Sequence, residues 1–372
     1  MNRIASRLGL RLPSGSDAAA AGPRAAVAGA WRAIMRTTSG PVWVVLVGVY
    51  VICWLAVSID GGNLLTVDNV VDMLVRSVAL GIVSAGQTLV ILGASLDLSV
   101  AYVISLSSIV GAETMAGDES RIALGIGAVL LLGAGIGLVN GLVITKLRVN
   151  AFIATLGMAL ILRGIIESRW DGPTGSVPES FENSLGYTEF GPIPVSVILL
   201  VAVAAAVWFL LRFTRFGHRL YGVGGSEEVS KLSGVRTDRV VIGAHVLCAI
   251  AAAITGLFLA SRLGAGSPLV GTDGGYDLES IAAVVLGGTY LLGGRGGVLG
   301  TVAGVFILAV LDNTFNQLEV DAFLKDVVRG VIIIAAVAAY SVRWRARRRR
   351  RTAESVEQPP DGTPALEGAS AR

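Results

Sequence analysis

A carboxylate stands inside a long apolar run at Asp97, within the stretch ILGASLDLSV. A charged side chain at the centre of a bilayer costs on the order of 3 kcal/mol, a cost that falls if the helix is interrupted there. Gly93 and Ser95 favour a break, after which the carboxylate can accept a hydrogen bond from the backbone N–H of Ser99 or Val100. Broken helices at membrane depth are tolerated only where protein or a water-filled cavity surrounds them. The stretch therefore predicts either a cytoplasmic turn or a break that lines a transport pathway, with Asp97 as a helix cap rather than a solute contact.

Other polar side chains also lie within apolar runs, where they are costly unless they face a bundle interior or a cavity. They can pair with the hydroxyl groups of a solute, or they can form helix–helix hydrogen bonds worth roughly 0.6 kcal/mol on average. For any single residue the helix–helix bond is the simpler interpretation. With Asp97, the candidate residues of a solute pathway are Gln87, Thr88, Ser99, Asn140 and Thr155.

A short helix is predicted within the loop 212–239, which reads RFTRFGHRLYGVGGSEEVSKLSGVRTDR. Two glycines break the chain before a serine N-cap, two acids occupy the first turn, where the helix dipole favours them, and a glycine ends the helix. A helix this short is not stable alone in water. It therefore lies on the lipid headgroups or docks on another protein, and two acids beside a small apolar face favour protein. The residues of this candidate docking element are Gly224, Gly225, Ser226, Glu227, Glu228, Val229, Lys231, Leu232, Ser233 and Gly234.

No soluble catalytic machinery is visible in the sequence. His218 lies in a loop and His245 within an apolar run, so a surface residue and a packed helix residue are the simplest interpretations. Cys53 and Cys248 lie in apolar runs and predict packing residues rather than a disulfide or a metal site. The stretch GGTYLLGGRGGVLG lacks the Gly-Lys-Ser/Thr ending of a phosphate-binding loop, so it predicts a tight turn between helices. We expect no ATP, cofactor or metal site and no enzyme activity in this chain.

The elements that must position these residues are membrane helices. Of the 372 residues, 53% are hydrophobic and only 15% are charged, whereas soluble domains carry about 25% charged residues. Runs of roughly 20 apolar residues predict an all-α polytopic membrane protein with about ten transmembrane helices, some short or broken. The clear spans are 41–58, 70–93, 122–145, 193–211, 240–263, 297–315 and 327–342, and the short or interrupted ones are 97–115, 151–166 and 278–292.

The placement of charge orients these helices, since cytoplasmic loops hold the excess of Lys and Arg. With the N-terminus inside, the outside loops hold only Arg121, Arg169 and Lys325 as basic residues. Both termini are therefore predicted to be cytoplasmic, and no cleaved signal peptide is predicted. The run RWRARRRR after the last span favours an anchor to anionic lipid over a nucleic-acid contact. The predicted organisation is a cytoplasmic extension at 1–40, a transmembrane domain at 41–342 and a basic, then disordered, cytoplasmic tail at 343–372.

Four stretches resemble blocks of the membrane permeases of ribose-type sugar ABC importers. GQTLVILGASLDLSV is similar to a signature close to G-x-T-x-V-I-x-x-G-G-I-D-L-S-V-G, and NGLVITKLRVNAFIATLGMALILRG is similar to a second block. GVGGSEEVSKLSGV is similar to the cytoplasmic loop that meets the ATPase, and DLESIAAVVLGGTYLLGGRGGVLGTVAGVFILAVLDN to a fourth block. The blocks keep the family's order within 86–313, in a wider superfamily that includes branched-chain amino acid permeases. They are specific for the family but only weakly specific for one substrate.

The chain departs from the family signature at Ala94, Ser95 and Ala101, where glycines are usual. Each departure adds a side chain where backbones approach closely, which points to an altered pathway width. In the docking element Ser226 stands where Asn is common, and both residue types cap helices.

The resemblance implies the transmembrane subunit of an ATP-driven importer that translocates a monosaccharide or related polyol across a bacterial inner membrane. It implies a second permease copy, ATP-binding subunits that hold ATP and Mg²⁺, and an extracytoplasmic sugar-binding protein. The alternatives are an ABC permease for amino acids or nucleosides, an ion-coupled secondary transporter, and a membrane scaffold or receptor without transport. Ion coupling is disfavoured because acids in the spans are few and lie near predicted ends, at Asp72, Asp97, Glu113, Glu279 and Asp312.

Overall fold

A computed structural model describes the chain at residues 39–190 and 193–321, and beyond them at 323–325, 327–328, 330, 331 and 334. The predicted extension up to residue 38, most of the predicted last span at 327–342 and the tail at 343–372 lie outside the described residues. The chain divides into two compact units, 1–320 and 321–372. All helices with defined bounds belong to the first unit.

The described part of the first unit is built from helices, as predicted. Its only strands are two residues long, Glu189–Phe190 and Ile193–Pro194, and they pair antiparallel. In chain order the α-helices of six residues or more are α1 (Gly40–Ile59), α2 (Val67–Leu92), α3 (Val100–Met115), α4 (Ile122–Lys146), α5 (Ala151–Glu167), α6 (Val195–Phe213), α7 (Arg215–Gly225), α8 (Glu227–Leu232), α9 (Thr237–Leu263), α10 (Tyr276–Leu286) and α11 (Val298–Gln317).

Six of these helices are long and apolar enough to cross a membrane: α1, α2, α4, α6, α9 and α11. They coincide with six of the clear predicted spans, which confirms a polytopic membrane protein. Side-chain caps explain where two of the helices begin. The hydroxyl oxygen of Thr66 accepts from the N–H of Asn69 (3.3 Å) before α2, and the side-chain oxygen of Asn150 accepts from the N–H of Phe152 (2.9 Å) before α5.

The shorter elements depart from their predicted spans. Helix α3 begins at Val100 instead of residue 97, because residues 93–99 form a non-helical turn. The predicted span 278–292 contains only α10, whose 11 residues cover about 16 Å at 1.5 Å per residue, half of the roughly 30 Å hydrocarbon core. Gly288, Gly293 and Gly294 adopt positive φ angles after it. The helix of the predicted short span 278–292 therefore ends at Leu286, and the predicted glycine turn is confirmed.

Helix α9 lies at the centre of the unit and packs against α2, α3 and α4. Gly133, Gly137 and Gly141 recur every fourth residue on α4 and face α9. A Cβ atom at Gly137 would lie 2.5 Å from the carbonyl oxygen of His245, so a side chain there would force α9 away. Small residues at such an interface allow membrane helices to approach closely. The position of His245 is thus fixed by the α4–α9 contact.

Contacts between loops define two ends of the molecule. At one end the N–H of Gly294 donates to the carbonyl oxygen of Leu92 (2.9 Å), and Gly224 packs against the same oxygen. At the other end the N–H of Gly117 donates to the carbonyl oxygen of Ser176 (3.0 Å). Loops predicted on the inside meet at the first end and loops predicted on the outside meet at the second, as the predicted alternation requires.

A segment at 264–275 turns back along α3 after α9 ends. Apart from one helical turn it is irregular. The N–H groups of Ser267 and Gly271 donate to the hydroxyl oxygens of Ser108 (3.1 Å) and Ser105 (3.0 Å) on α3. Backbone groups at membrane depth must be paired, and the serines of α3 supply part of that pairing.

Candidate functional site

The turn 93–99 joins α2 to α3 at the point where the sequence predicts a break. The N–H groups of Ala94 and Ser95 donate back to the carbonyl oxygens of Ile91 (3.0 Å) and Val90 (3.1 Å). Ala94 adopts a φ angle of +59°, a left-handed conformation that costs a residue with a Cβ atom roughly 1–2 kcal/mol. The signature that this stretch resembles has glycine at this position, which adopts this conformation at lower cost.

The carboxylate of Asp97 is completely buried within this turn. Its Oδ1 atom accepts from both the backbone N–H (2.9 Å) and the hydroxyl (2.6 Å) of Ser99. The predicted bond to the Ser99 N–H is therefore present. The N-cap position of α3 is occupied by Ser99 itself, so Asp97 stabilises the turn that precedes the helix instead of capping its first turn.

The second carboxylate oxygen of Asp97 faces His245 of α9. The distance from Oδ2 to the imidazole Nδ1 is 3.3 Å, and the imidazole Nε2 lies 2.8 Å from the hydroxyl of Ser95. Hydroxyl, imidazole and carboxylate follow the order of a serine-hydrolase triad, but His245 and Asp97 are 0% exposed and Ser95 is 7% exposed. A substrate cannot reach them in this conformation, so the arrangement gives the buried carboxylate a hydrogen-bond partner and ties the turn to α9.

Sequence reasoning assigned His245 only to packing and therefore missed its polar role. The available signal was the coincidence of one histidine and one carboxylate, each inside an apolar run. A buried charge needs a partner or a hydrogen-bonding environment. Of the two histidines, only His245 lies within an apolar run, where it can reach such a charge. Ser95 gave a further signal, because it is a polar residue where the family signature carries glycine.

Two further predicted residues tie the same turn to α4 and α5. The side-chain amide of Asn140 donates to the hydroxyl oxygen of Ser99 (3.0 Å). The hydroxyl oxygen of Thr155 accepts from the N–H of Leu98 (3.2 Å). Asp97, Ser99, Asn140 and Thr155, although distant in sequence, therefore form one network with His245.

Gln87 and Thr88 lie on α2, outside this network. The thiol of Cys248 donates to the side-chain oxygen of Gln87 (3.3 Å), and the amide nitrogen of Gln87 has no hydrogen-bond partner among the described residues. The hydroxyl of Thr88 lies 2.7 Å from that of Thr301 on α11. These contacts join α2 to α9 and to α11. All six candidate pathway residues are at most 1% exposed, so contact with a solute requires the helices to separate and stays a prediction.

The predicted docking element forms α8, a helix of six residues. The hydroxyl oxygen of Ser226 accepts from the N–H of Val229 (3.4 Å), as expected for an N-cap. Lys231 contacts Glu227 (2.8 Å), and this hydrogen bond lowers the pKa of Glu227 below its usual value. Val229 and Leu232 are 61% and 89% exposed, so the apolar face of α8 has no cover within the described residues.

Glycines connect α8 to the buried network. Gly224, at the end of α7, is buried, and a Cβ atom there would lie 1.8 Å from the carbonyl oxygen of Leu92. On the other side a Cβ atom at Gly293 would lie 2.7 Å from the nitrogen of Ala94. The chain just before α8 therefore rests directly on the end of α2, and Gly293 connects it to Ala94 in the turn that holds Asp97.

A helical chain with several membrane-crossing helices, a broken helix lined by buried polar groups and an exposed capped helix at one end has the architecture of a membrane permease component. The chain belongs to the family described as "Branched-chain amino acid transport system / permease component", which matches residues 69–337.

Curated relatives are similar over most of their length. The chain is 37% identical over 279 residues to the ribose import permease protein RbsC of Escherichia coli K12, covering 74% of this chain and 86% of the relative. It is 38% identical over 285 residues to the ribose import permease protein RbsC of Bacillus subtilis 168, covering 76% and 87%. It is 36% identical over 300 residues to the L-arabinose transport system permease protein AraH of Escherichia coli K12, covering 81% and 90%. No solved structure matches the chain significantly. The resemblance to ribose-type importer permeases is confirmed.

Proposed function

We propose that this chain is the membrane-spanning subunit of an ATP-driven ABC importer and that its solute is a monosaccharide or related polyol. The observation that carries the proposal is α8, an exposed helix with a small apolar face, which follows Gly224; Gly224 packs on the carbonyl oxygen of Leu92, directly before the turn 93–99. A six-residue helix gains its stability from a partner surface, and movement of that partner is passed to the turn through backbone contacts.

A sugar is favoured over the other solutes by the relatives. Their names assign them to ribose, L-arabinose and D-allose. The family description names branched-chain amino acids, so an amino acid is the second candidate solute. Neither the family description nor the names of the relatives support a nucleoside or an ion-coupled mechanism.

The proposed assembly contains a second copy of the permease, an ATP-binding subunit that docks on α8, and an extracytoplasmic binding protein that delivers the sugar at the opposite end. ATP and Mg²⁺ are assigned to the partner subunit, which supplies the hydrolysis. The end that carries α8 is cytoplasmic, and both termini lie on that side of the bacterial inner membrane, as the placement of Lys and Arg indicates.

The proposed mechanism uses the connection between α8 and the buried network. Displacement of α8 moves the end of α7, and Gly224 transmits this displacement to Leu92 and the turn because no side chain lies between them. The turn is held to α4, α5 and α9 by its hydrogen bonds, so its movement shifts these helices together. The proposed solute contacts in the separated state are Gln87, Thr88, Asp97, Ser99, Asn140 and Thr155.

Uptake assays with defined energy sources test this function. A strain that lacks the permease is supplied with this chain, its ATPase and its binding protein, and the uptake of labelled D-ribose, L-arabinose, D-allose and leucine is measured. We expect uptake of at least one sugar, loss of that uptake when the ATPase carries an inactivating substitution, and retention of uptake with a protonophore when ATP is maintained. Collapse with the protonophore, or uptake of leucine alone, would reject the proposal.

A further inference from the structure

A cleft of about 490 Å³ opens at the end opposite α8. It lies between α3, α5 and the segment 264–275. Drug-sized and cofactor sites occupy about 300–1,000 Å³ and combine aromatic walls with a few polar groups, and this cleft falls within that range. The lining residues that could contact a solute are Tyr102, Arg163, Glu167, Trp170, Asp171 and Thr272.

The cleft reaches well into the membrane-spanning part of the chain. Trp170 is placed near the end of α3, because its indole N–H donates to the carboxylate of Glu113 (2.7 Å). Tyr102, at the other limit of the cleft, lies in the first turn of α3. The eleven helical steps from Tyr102 to Glu113 correspond to about 16 Å along a helix, which is half the roughly 30 Å of a hydrocarbon core.

The segment 264–275 supplies one wall of the cleft, through Ser267, Leu269 and Thr272. Irregular backbone at membrane depth is tolerated only where it is buried in protein or lines a water-filled cavity. On its other side this segment packs tightly on α3, since a Cβ atom at Gly271 would lie 1.9 Å from the carbonyl oxygen of Ala101. The segment is therefore fixed by α3 on one side and lines the cleft on the other.

The polar groups of the cleft suit a molecule that carries several hydroxyl groups. Arg163 and Glu167 form an ion pair (2.7 Å) along α5, with both side chains more than half exposed. Guanidinium and carboxylate groups can donate to and accept from neighbouring hydroxyls, and Asp171 adds a second carboxylate. The rings of Tyr102 and Trp170 offer apolar surface to the C–H groups of a sugar ring.

We propose that this cleft is a sugar-binding site on the permease that receives the solute before the buried network opens. The proposal rests on the proposed function, because it assumes a sugar as the solute and the end opposite α8 as the outer one. It places the first contacts of the permease with the sugar at the cleft, ahead of the six buried pathway residues.

Conservative substitutions with matched controls test the site in the full importer. Tyr102→Phe and Asp171→Asn each change one polar group and keep the side-chain shape. The controls are Tyr187→Phe and Asp118→Asn, which make the same chemical changes at the same end but outside the cleft. We expect each cleft variant to slow initial uptake of D-ribose, L-arabinose or D-allose by about fivefold, the factor that corresponds to one lost hydrogen bond. Uptake by the controls, at equal abundance in the membrane, should stay near that of the unchanged chain. Cleft variants that match their controls would overturn the site.

A binding measurement separates this proposal from the proposed function. Thr272→Cys is introduced together with Cys53→Ala and Cys248→Ala, and the labelling rate of the new thiol by a water-soluble thiol reagent is measured in proteoliposomes. We expect one of the three sugars to slow labelling at position 272 but not at a control position, Ser120→Cys. Labelling that none of the sugars slows, or that changes only with the lipid composition, would reject a sugar site even if uptake itself is normal. Loss of ATP-dependent uptake in the unchanged chain, with protection at position 272 retained, would reject only the proposed importer.

Discussion

At two helix starts in this protein a side-chain oxygen accepts from a nearby backbone N–H, in opposite surroundings. At α8 the hydroxyl of Ser226 accepts from a backbone N–H at an exposed position, and at the start of α3 the carboxylate of Asp97 does so in complete burial. The exposed cap requires no further partner, because water solvates the rest of the side chain. The buried carboxylate of Asp97 requires His245, Ser95 and Ser99 as well. Burial therefore converts a local turn into a network that spans several helices.

The comparison also explains why the two regions suit different tasks. Helix α8 presents its apolar face outward and depends on few internal bonds, so a partner can bind it without disturbing the bundle. The turn 93–99 is held by groups from α4, α5 and α9, so it cannot move alone. Gly224 joins the two regions. Each prediction below breaks one region or the contact between them.

The largest effect is expected from Asp97→Leu. It removes the acceptor for Ser99 and leaves His245 without its carboxylate, and each buried polar group left without a partner costs about 1–3 kcal/mol. We expect loss of the assembled permease from the membrane, measured by its abundance and thermal stability in detergent.

Asp97→Asn is the matched variant and should retain most of the function. Its side-chain oxygen can still accept from Ser99, while its amide can donate to Nδ1 of His245 if that ring carries its proton on Nε2 and donates to Ser95. Assembly and uptake are measured together, since an aggregated permease would mimic a blocked one. If Asn damages a fully assembled complex as much as Leu does, the negative charge itself is essential. The explanation by hydrogen-bond acceptance from Ser99 is then wrong.

The next effect is expected from Gly224→Ala, which breaks the contact between the regions. The added Cβ atom would overlap the carbonyl oxygen of Leu92, and overpacking of this kind costs about 1–3 kcal/mol. Gly225→Ala is the control, because nothing lies within 4 Å of a Cβ atom there. We expect a lower melting temperature and reduced uptake for the first variant only. Equal behaviour of the two variants would mean that the close approach to Leu92 is unimportant.

A smaller effect is expected from Ser95→Gly, which introduces the residue usual in the resembling family. It leaves Nε2 of His245 without its partner, at a cost of about 1–3 kcal/mol for a buried unpaired group. The double variant Ser95→Gly/Asp97→Asn should lose more stability than the two single variants lose together, because the altered imidazole then has no acceptor at position 95. Additive losses of stability would show that Ser95 and Asp97 do not act through the same ring.

The smallest effect is a gain in stability from Ala94→Gly. The left-handed φ angle of Ala94 costs a residue with a Cβ atom roughly 1–2 kcal/mol, and glycine avoids most of that cost but adds entropy to the unfolded chain. We expect an unchanged or slightly raised melting temperature and normal assembly. A clear loss of stability would indicate that the methyl group of Ala94, which faces Gly293, contributes essential packing.

The sequence predicted the elements better than their contacts. Apolar runs located α1, α2, α4, α6, α9 and α11, and the glycines, Ser226 and the paired acids located α8, because these signals are local. The pairing of Asp97 with His245 depends on the rotation of α9 against the turn 93–99, which is set by close packing at glycines such as Gly137. No local pattern reports that rotation.

The packing of the segment 264–275 along α3 was not predicted, for a related reason. Its sequence is too short and polar to register as a span, and its backbone is satisfied by serines of α3 that are remote in the chain. The predicted span 278–292 extends past the end of α10 because apolar composition continues there, although the glycines that follow reverse the backbone. Composition measures affinity for the membrane, whereas the length of a helix depends on backbone conformation.

The coupling role of α8 is tested most directly by sugar-stimulated ATP hydrolysis in proteoliposomes that contain the full importer. Glu228→Arg reverses one exposed charge beside the apolar face of α8, and Glu119→Arg makes the same change in an exposed turn at the opposite end. We expect Glu228→Arg to remove the stimulation by sugar-loaded binding protein and to abolish uptake at normal permease abundance, because charge reversal in a docking surface repels the partner. The Glu119→Arg control should behave like the unchanged protein. Normal stimulated hydrolysis and uptake with Glu228→Arg would contradict the assignment of α8 as the contact with the ATPase.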